Sequence, residues 1–170
     1  GRHRAHARKD LPARLVSGDF YDYLELPDGR FPFALGDVSG KGMNAALLMA
    51  KTVSVFRCLC KAVYDPAALL RTLNRELHAT ATRGMFVTMV VGIYNPRTGK
   101  LRFANAGHEP ALLRLPDRSY RTYEAQSPPL GILPEIEVEA VEIDVEGGEF
   151  YVFSDGLTEF KYGDGEFLGA

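Results

Sequence analysis

The spacing of apolar and polar residues predicts a β-hairpin and then a helix in the first third of the chain. Segments 19–26 and 31–37 have the aromatic and branched residues typical of strands, and a Pro-Asp-Gly-Arg turn at 27–30 joins them. Glycines then open a run of helix-forming residues, so we expect a helix over about 43–61. Met43, Leu47, Ala50 and Val53 or Ser54 recur at helical spacing in this segment, which supports the prediction.

A second helix is predicted directly after the first. Asp65 has the side chain of a helix N-cap, and Pro66 suits the first helical turn. The apolar stripe of this helix consists of Leu69, Leu70, Leu73 and Leu77. Two consecutive helices between strand segments favour an α+β domain in which helices cover antiparallel sheets.

The second half of the chain has the pattern of short strands separated by turns. After Gly84 the residues become β-branched and aromatic, and turn sequences recur. In segment 135–145 the apolar residues change sides near Ala140 and Val141, so we expect a β-bulge there. The predicted strands are 85–94, 100–104, 111–115, 120–123, 135–145 and 150–153.

Composition is that of an ordinary globular domain. The 170 residues are 46% hydrophobic and 25% charged, which fits one domain and excludes disordered and collagen-like classes. No apolar run approaches the roughly 18 residues of a membrane span, and no signal-peptide pattern opens the chain. Cys58 and Cys60 fall on different faces of the first helix, so we expect reduced thiols and a cytoplasmic protein.

The net charge of −2 conceals an uneven distribution. Residues 1–14 contain five basic residues and one acidic residue, whereas 135–170 contain eleven acidic residues and one basic residue. We interpret residues 1–10 as a basic linker stub. Aromatic residues do not interleave with a basic patch, so we do not expect nucleic-acid binding.

Three aspartates stand beside glycines at the ends of predicted strands: Asp19, Asp37 and Asp155. One aspartate in this position is usually a turn or cap residue. Three together supply the hard oxygen ligands that Mg²⁺ or Mn²⁺ prefers. One carboxylate bridging two such ions about 4 Å apart would hold a nucleophilic water between them.

The glycine-rich loop 36–42 is not a Walker A loop, because only three residues precede its Gly-Lys pair and Gly42 replaces the hydroxyl residue. Lys41 at the start of a helix nevertheless favours an anion, while a simple strand-to-helix turn remains the alternative. His108 stands in a polar loop, either as a hydrogen-bonded structural group or as a catalytic one. No Ser/His/Asp group, thiol nucleophile with a base, or zinc-type Cys/His spacing is present in the sequence.

Six short motifs occur in order along the chain, and together they resemble the stage II sporulation protein E branch of the type 2C protein phosphatases. The resemblance covers the chain from about residue 11 onward. The motifs are Ser-Gly-Asp-Phe-Tyr-Asp at 17–22, Gly-Asp-Val-Ser-Gly-Lys-Gly at 36–42, Met-Phe-Val-Thr-Met at 85–89, Asn-Ala-Gly-His at 105–108, Pro-Leu-Gly at 129–131 and Ser-Asp-Gly-Leu-Thr-Glu at 154–159.

This resemblance implies phosphoserine or phosphothreonine hydrolysis on a four-layer αββα sandwich, with two Mn²⁺ or Mg²⁺ ions and a bridging water. By position, Asp37 resembles the bridging ligand, and Val38 would contribute its backbone carbonyl. Asp19 resembles a ligand of one ion and Asp155 a ligand of the other. The residues expected near the substrate phosphate are Ser39, Gly40, Lys41, Gly42 and His108.

The sequence departs from the family pattern in two places. Ser17 stands where the family usually has glycine. The family also ends in a strand with adjacent aspartates that supplies a further metal ligand. We therefore expect residues 11–170 to form a phosphatase domain that lacks its C-terminal strand or strands, with a sensor domain upstream in the full-length protein.

Three functions are compatible with these observations. The first is a cytoplasmic phosphatase, monomeric or homodimeric, that acts on a phosphorylated anti-sigma factor antagonist. The second is a catalytically weak or inactive phosphatase-like module that binds or regulates a partner. The third, a nucleotide cyclase, is suggested by Ser-Gly-Asp-Phe at 17–20, but no nucleotide-holding motif follows.

Overall fold

Two helices and two main antiparallel sheets make up the described part of the chain. The computed structural model describes residues 18–80, 84–145 and 147–154, and the backbone alone of 161–162 and 166–167. The elements are β1 (Asp19–Tyr23), β2 (Phe31–Val38), α1 (Met43–Leu59), α2 (Pro66–Thr80), β3 (Val87–Asn95), β4 (Lys100–Ala106), β5 (Ala111–Arg114), β6 (Tyr120–Tyr123), β7 (Val141–Asp144), β8 (Glu149–Tyr151), β9 (Lys161–Tyr162) and β10 (Glu166–Phe167). Neither α1 nor α2 is long and apolar enough to cross a bilayer.

The first sheet has the strand order β1-β2-β3-β4-β7, and the second has the order β6-β5-β8. All neighbouring strands in these two sheets are antiparallel, and short turns connect β1 to β2, β3 to β4 and β5 to β6. In the β1–β2 turn, Asp28 accepts a hydrogen bond from the backbone N–H of Arg30 at 3.0 Å. Strands β9 and β10 form a separate pair.

Helices α1 and α2 cover one face of the first sheet. Asp65 caps α2 as predicted, since its carboxylate accepts a hydrogen bond from the N–H of Ala68 at 3.3 Å. The predicted stripe of α2 is confirmed, because all four of its leucines are buried. They share a core with alternate residues of β3, namely Val87, Met89, Val91 and Ile93.

The helix predicted over about 43–61 is confirmed as α1, but the residues whose spacing indicated it do not form its buried face. Met43 and Leu47 are 74% and 61% exposed. The face that packs on the sheet consists of Ala45, Leu48, Thr52 and Phe56. Apolar residues surround much of α1, so helical spacing alone does not identify the face that packs on the sheet.

A second core fills the space between the two sheets. The ring of Phe103 lies 4.8 Å from that of Phe150 and 5.2 Å from that of Tyr123, measured between centroids. The ring of Phe33 covers Gly92, where a Cβ would lie only 2.3 Å from it. The described residues thus form helix, sheet and sheet layers. They contain no helix on the outer side of the second sheet.

The single strand predicted over 135–145 is also wrong, and no bulge is needed. Only Val141–Asp144 pairs with β4, and the residues before it cross the helices as an irregular segment. Their carbonyls bond to side chains of α2 instead of to a strand. Asn74 donates to the carbonyls of Leu133 and Pro134 at 3.0 and 3.3 Å, and Arg71 donates to that of Val138 at 2.9 Å.

The alternation of apolar residues in this segment has a different cause. Ile136 and Val138 pack in the core beneath the helices, and Ile143 packs in the core between the sheets. The apolar residues change sides in the sequence because those before Ala140 pack in the core beneath the helices, whereas Ile143 packs in the core between the sheets. Several boundaries also differ from the prediction by one to three residues. The largest differences are that β1 ends at Tyr23, α1 ends at Leu59, β3 begins at Val87, β4 ends at Ala106 and β8 ends at Tyr151.

Replacing Asn74 by Ala should weaken the fold more than a similar change at the next residue. Asn74 is fully buried, and its amide also accepts a hydrogen bond from the N–H of Gly131 at 2.9 Å. Its removal leaves three backbone partners without a side-chain partner, so we expect urea unfolding to show a loss of about 2 kcal/mol. Arg75→Ala, which breaks an exposed ion pair with Glu135 and a long, exposed hydrogen bond to the Thr72 hydroxyl, should cost less than about 0.5 kcal/mol. Equal losses for the two variants would contradict this prediction.

The two cysteines should differ sharply in reactivity. Cys58 is exposed and Cys60 is buried, as expected for different helix faces. Burial raises the pKa of the Cys60 thiol, which reduces its thiolate fraction. In native protein, iodoacetamide should modify Cys58 well before Cys60, and mass spectrometry of peptides separates the two sites. Both should react at similar rates in denaturant, whereas similar rates in the native protein would refute the assignment.

Candidate functional site

The pairing of β1 with β2 brings two predicted metal ligands together. Asp19 lies directly opposite Asp37 in this antiparallel pair. Opposite residues share a face of the sheet, with Cβ atoms about 4.5–5.5 Å apart, and like charges in this position repel each other. Both side chains lie on the face turned away from the helices and are partly exposed. A divalent cation held between them would offset the repulsion.

Gly18 leaves room for two oxygen atoms beside this pair. Its carbonyl accepts a hydrogen bond from the N–H of Val38 at 2.9 Å. A Cβ at Gly18 would lie 2.2 Å from the carbonyl oxygen of Val38 and 2.4 Å from Oδ1 of Asp37. These two oxygens therefore lie close to the same point, and only glycine fits against them. Carboxylate and carbonyl oxygens are the donors that Mg²⁺ and Mn²⁺ take, so the residues fit such an ion.

The third predicted carboxylate, Asp155, lies outside the described residues. Within the described ranges, no group of three or more His, Cys, Asp or Glu side chains is placed to hold a metal ion. The structure thus brings together Asp19, Asp37 and the carbonyl of Val38. Two of the three predicted carboxylates are therefore at one edge of the first sheet.

Thr88 continues the row of opposed residues formed by Asp19 and Asp37, and local sequence contains no signal for its role beyond its place in one motif. It lies opposite Asp37 in the β2–β3 pair. Its hydroxyl is 2.9 Å from Nδ1 of His108. The other ring nitrogen of His108 is 2.8 Å from the carbonyl oxygen of Phe153. His108 is thus buried and hydrogen-bonded through both ring nitrogens. Of the two roles that its sequence left open, this arrangement matches the hydrogen-bonded structural group.

The loop between β2 and α1 is fixed at Ser39. Its N–H donates to the carbonyl of Phe86 at 2.9 Å, and its hydroxyl accepts from the N–H of Phe86 at 2.7 Å. Gly40 and Gly42 have φ values of 94° and 78°, in the left-handed region that favours glycine. The Ser39 hydroxyl therefore holds the loop to the start of β3.

The start of α1 has the electrostatics of an anion site. The helix has no side-chain cap hydrogen bond at Gly42 and no acidic residue in its first turn. Lys41 is exposed directly before it. The positive end of the helix dipole and the ammonium group both favour a phosphoryl group on this side of Asp37.

Comparison with known proteins identifies the family. A sequence profile described as stage II sporulation protein E (SpoIIE) matches residues 27–170. The chain belongs to the SpoIIE family. The phosphoserine phosphatase RsbU of Bacillus subtilis (strain 168) is 32% identical to it over 157 residues, which cover 91% of this chain and 47% of RsbU. The chain therefore spans less than half of that relative.

Solved structures show that this SpoIIE-family chain has the type 2C phosphatase (PP2C) fold. The RsbU and RsbW domains of Rv1364c from Mycobacterium tuberculosis superpose with a TM-score of 0.70 at 29% identity, over 88% of this chain and 42% of that one. The PP2C phosphatase domain of SpoIIE from Bacillus subtilis gives 0.65 at 25% identity, over 77% and 39%. The α+β sandwich fold expected from the sequence is confirmed.

The two carboxylates on β1 should respond in opposite ways to loss of charge. In metal-free buffer, Asp19→Asn should raise the free energy of unfolding by up to about 1 kcal/mol, because it removes one of two facing charges. Asp22→Asn, on the other face of β1, should lower it, because Asp22 makes a two-pronged ion pair with Arg57 at 2.6 Å. Urea unfolding measures both changes.

Adding Mn²⁺ should then separate the variants further. An ion that binds only the folded state stabilises it in proportion to the logarithm of its concentration above the dissociation constant. Wild type and Asp22→Asn should both gain stability from Mn²⁺, and Asp19→Asn should gain much less. Two results would contradict a cation site at Asp19 and Asp37. One is a lower free energy of unfolding for Asp19→Asn in metal-free buffer, and the other is an equal gain in stability from Mn²⁺ in all three proteins.

Proposed function

We propose that this domain is a metal-dependent protein serine/threonine phosphatase that removes phosphate from phosphoserine or phosphothreonine of a partner protein. The observation that carries the proposal is the opposition of Asp19 and Asp37 beside the Val38 carbonyl. Two facing carboxylates repel each other, and a divalent cation held between them would offset that repulsion, so their placement favours a metal-dependent reaction. RsbU, a phosphoserine phosphatase, covers most of this chain in comparison, which supports the same chemistry.

In this proposal the chain holds two Mn²⁺ or Mg²⁺ ions. Asp37 would serve both ions, Asp19 would bind one ion and Asp155 the other, while Val38 would contribute its carbonyl oxygen. The chemistry that such ions supply is activation of water as the nucleophile and neutralisation of charge on the phosphoryl oxygens. The rigid pairing of β1 with β2 fixes the spacing of Asp19 and Asp37 before any ion binds.

The loop at the start of α1 is proposed to orient the substrate. Lys41 and the N-terminal backbone of α1 attract the phosphoryl dianion, and Ser39 holds the loop in place through Phe86. Hydrolysis forms a P–O bond from water and breaks the P–O bond to the serine or threonine oxygen. The products are inorganic phosphate and the free hydroxyl side chain.

The proposed substrate is a phosphorylated anti-sigma factor antagonist. This choice follows from the resemblance to the SpoIIE family, and the relative RsbU is named as a phosphoserine phosphatase. The same resemblance suggests a cytoplasmic protein, regulated by a sensor domain upstream of this one, that is either a monomer or a homodimer.

The alternative is a phosphatase-like module that binds a partner with little or no turnover. It is favoured by the fact that the described residues bring two predicted carboxylates together and place no third ligand from His, Cys, Asp or Glu beside them. Such a module would bind a phosphorylated protein without releasing phosphate.

Phosphate release from a phosphoserine protein tests the proposal. With the full chain, release should require Mn²⁺ or Mg²⁺ and stop in EDTA. Asp37→Asn should reduce kcat/KM by about 100-fold or more, because it removes a charge that stabilises the reacting centre. Asp28→Asn is the matched control and should leave the rate unchanged, because Asp28 bonds to Arg30 in the distant β1–β2 turn. Activity that survives Asp37→Asn would refute the mechanism.

Binding measurements distinguish the phosphatase from the phosphatase-like binding module. Calorimetry should show two Mn²⁺ sites in the wild type if the domain is a phosphatase. Tight binding of the phosphoserine protein with no phosphate release in Mn²⁺ would instead establish the binding module.

A further inference from the structure

The backbone around His108 is held independently of its ring. Oδ1 of Asn105 accepts a hydrogen bond from the N–H of His108 at 2.9 Å, and Nδ2 of Asn105 donates to the carbonyl of Glu109 at 3.0 Å. Gly107 has a φ of 64°, and Pro129 lies 2.5 Å from where its Cβ would be. This turn fixes the position from which the imidazole extends.

Both nitrogens of the His108 ring are used by the protein. The residue is 6% exposed. A carbonyl only accepts hydrogen bonds, so Nε2 donates to Phe153 at 2.8 Å. In the neutral ring Nδ1 then accepts from the hydroxyl of Thr88 at 2.9 Å. No ring nitrogen remains for a phosphoryl group while these two bonds are made.

The two partners of the ring belong to different sheets. Thr88 lies on β3 of the first sheet, directly opposite Asp37. Phe153 follows β8 of the second sheet and precedes Asp155 by two positions in the sequence. The His108 ring therefore connects the part of the first sheet that carries Asp37 to the end of the second sheet.

We propose that His108 is a positioning residue, which holds Thr88 and Phe153 at a fixed separation and so keeps the end of the first sheet that carries Asp37 in place for a metal ion. The inference rests on the proposed function, because it assumes a divalent ion at Asp37. It assigns His108 to the support of Asp37 and not to contact with the substrate phosphate. Groups bonded directly to a metal ligand typically change metal affinity by 10- to 100-fold when they are removed, and His108 acts one residue further from the ion, so we expect an effect of about tenfold.

Substitutions at Thr88 test the connection with little change in volume. Thr88→Val removes the hydroxyl, and Thr88→Ser keeps it. In calorimetry with Mn²⁺ and the full chain, Thr88→Val should raise the dissociation constant for Mn²⁺ by about tenfold. Thr88→Ser should bind within about twofold of the wild type. His108→Gln, which retains one donor but not both bonds, should resemble Thr88→Val.

Two further readouts distinguish positioning from catalysis. At saturating Mn²⁺, His108→Gln should recover most of its kcat, and the pH dependence of kcat/KM should keep its shape. In metal-free protein, amide hydrogen exchange in a peptide covering 149–154 should be faster in His108→Gln and Thr88→Val than in the wild type. This second measurement depends on neither metal nor turnover.

The possible failures are distinguishable. If the wild type binds Mn²⁺ and both variants bind it equally well, the positioning role is overturned and the proposed function stands. Loss of kcat at saturating Mn²⁺ in His108→Gln, with unchanged Mn²⁺ affinity, would make His108 catalytic and also overturn it. A wild type that binds no Mn²⁺ overturns both proposals. If His108→Gln does not fold, the Val and Ser variants of Thr88 decide the question.

Discussion

The opposition of Asp19 and Asp37 across β1 and β2 determines how the rest of the site is arranged. The register places two like charges on one face of the sheet, where a divalent cation would offset their repulsion. The other face of β1 supplies the stability. Phe20 is buried against Gly36, and Asp22 bonds to Arg57 of α1. The side of β1 that faces the helices thus carries a buried aromatic residue and an ion pair, and its opposite side carries the carboxylate of Asp19.

The site lies where the two cores and one loop meet. Leu130 pairs with Val87 at the start of β3 through hydrogen bonds of 2.7 and 3.0 Å, next to Thr88. Asn74 of α2 binds the same loop at Gly131. Helix α2, this loop and the start of β3 are therefore connected by hydrogen bonds.

The sequence predicts the elements well, and its failures have physical causes. The stripe of α2 is correct because its leucines lie on one side only, whereas the apolar residues of α1 surround it and Met43 faces outward. The strand predicted over 135–145 fails because side chains of α2 take the place of a neighbouring strand. For the site, local sequence indicates Asp19 and Asp37. The role of Thr88 depends on the register of β2 with β3, and this register cannot be predicted from a local sequence pattern.

Anomalous diffraction from crystals grown with Mn²⁺ would test the cation site at Asp19 and Asp37, because it locates the ions without assuming any activity. We expect anomalous density between the carboxylates of Asp19 and Asp37, with the Val38 carbonyl oxygen within coordination distance. Mn²⁺ density elsewhere on the protein, with the Asp19–Asp37 pair empty at saturating Mn²⁺, would contradict it.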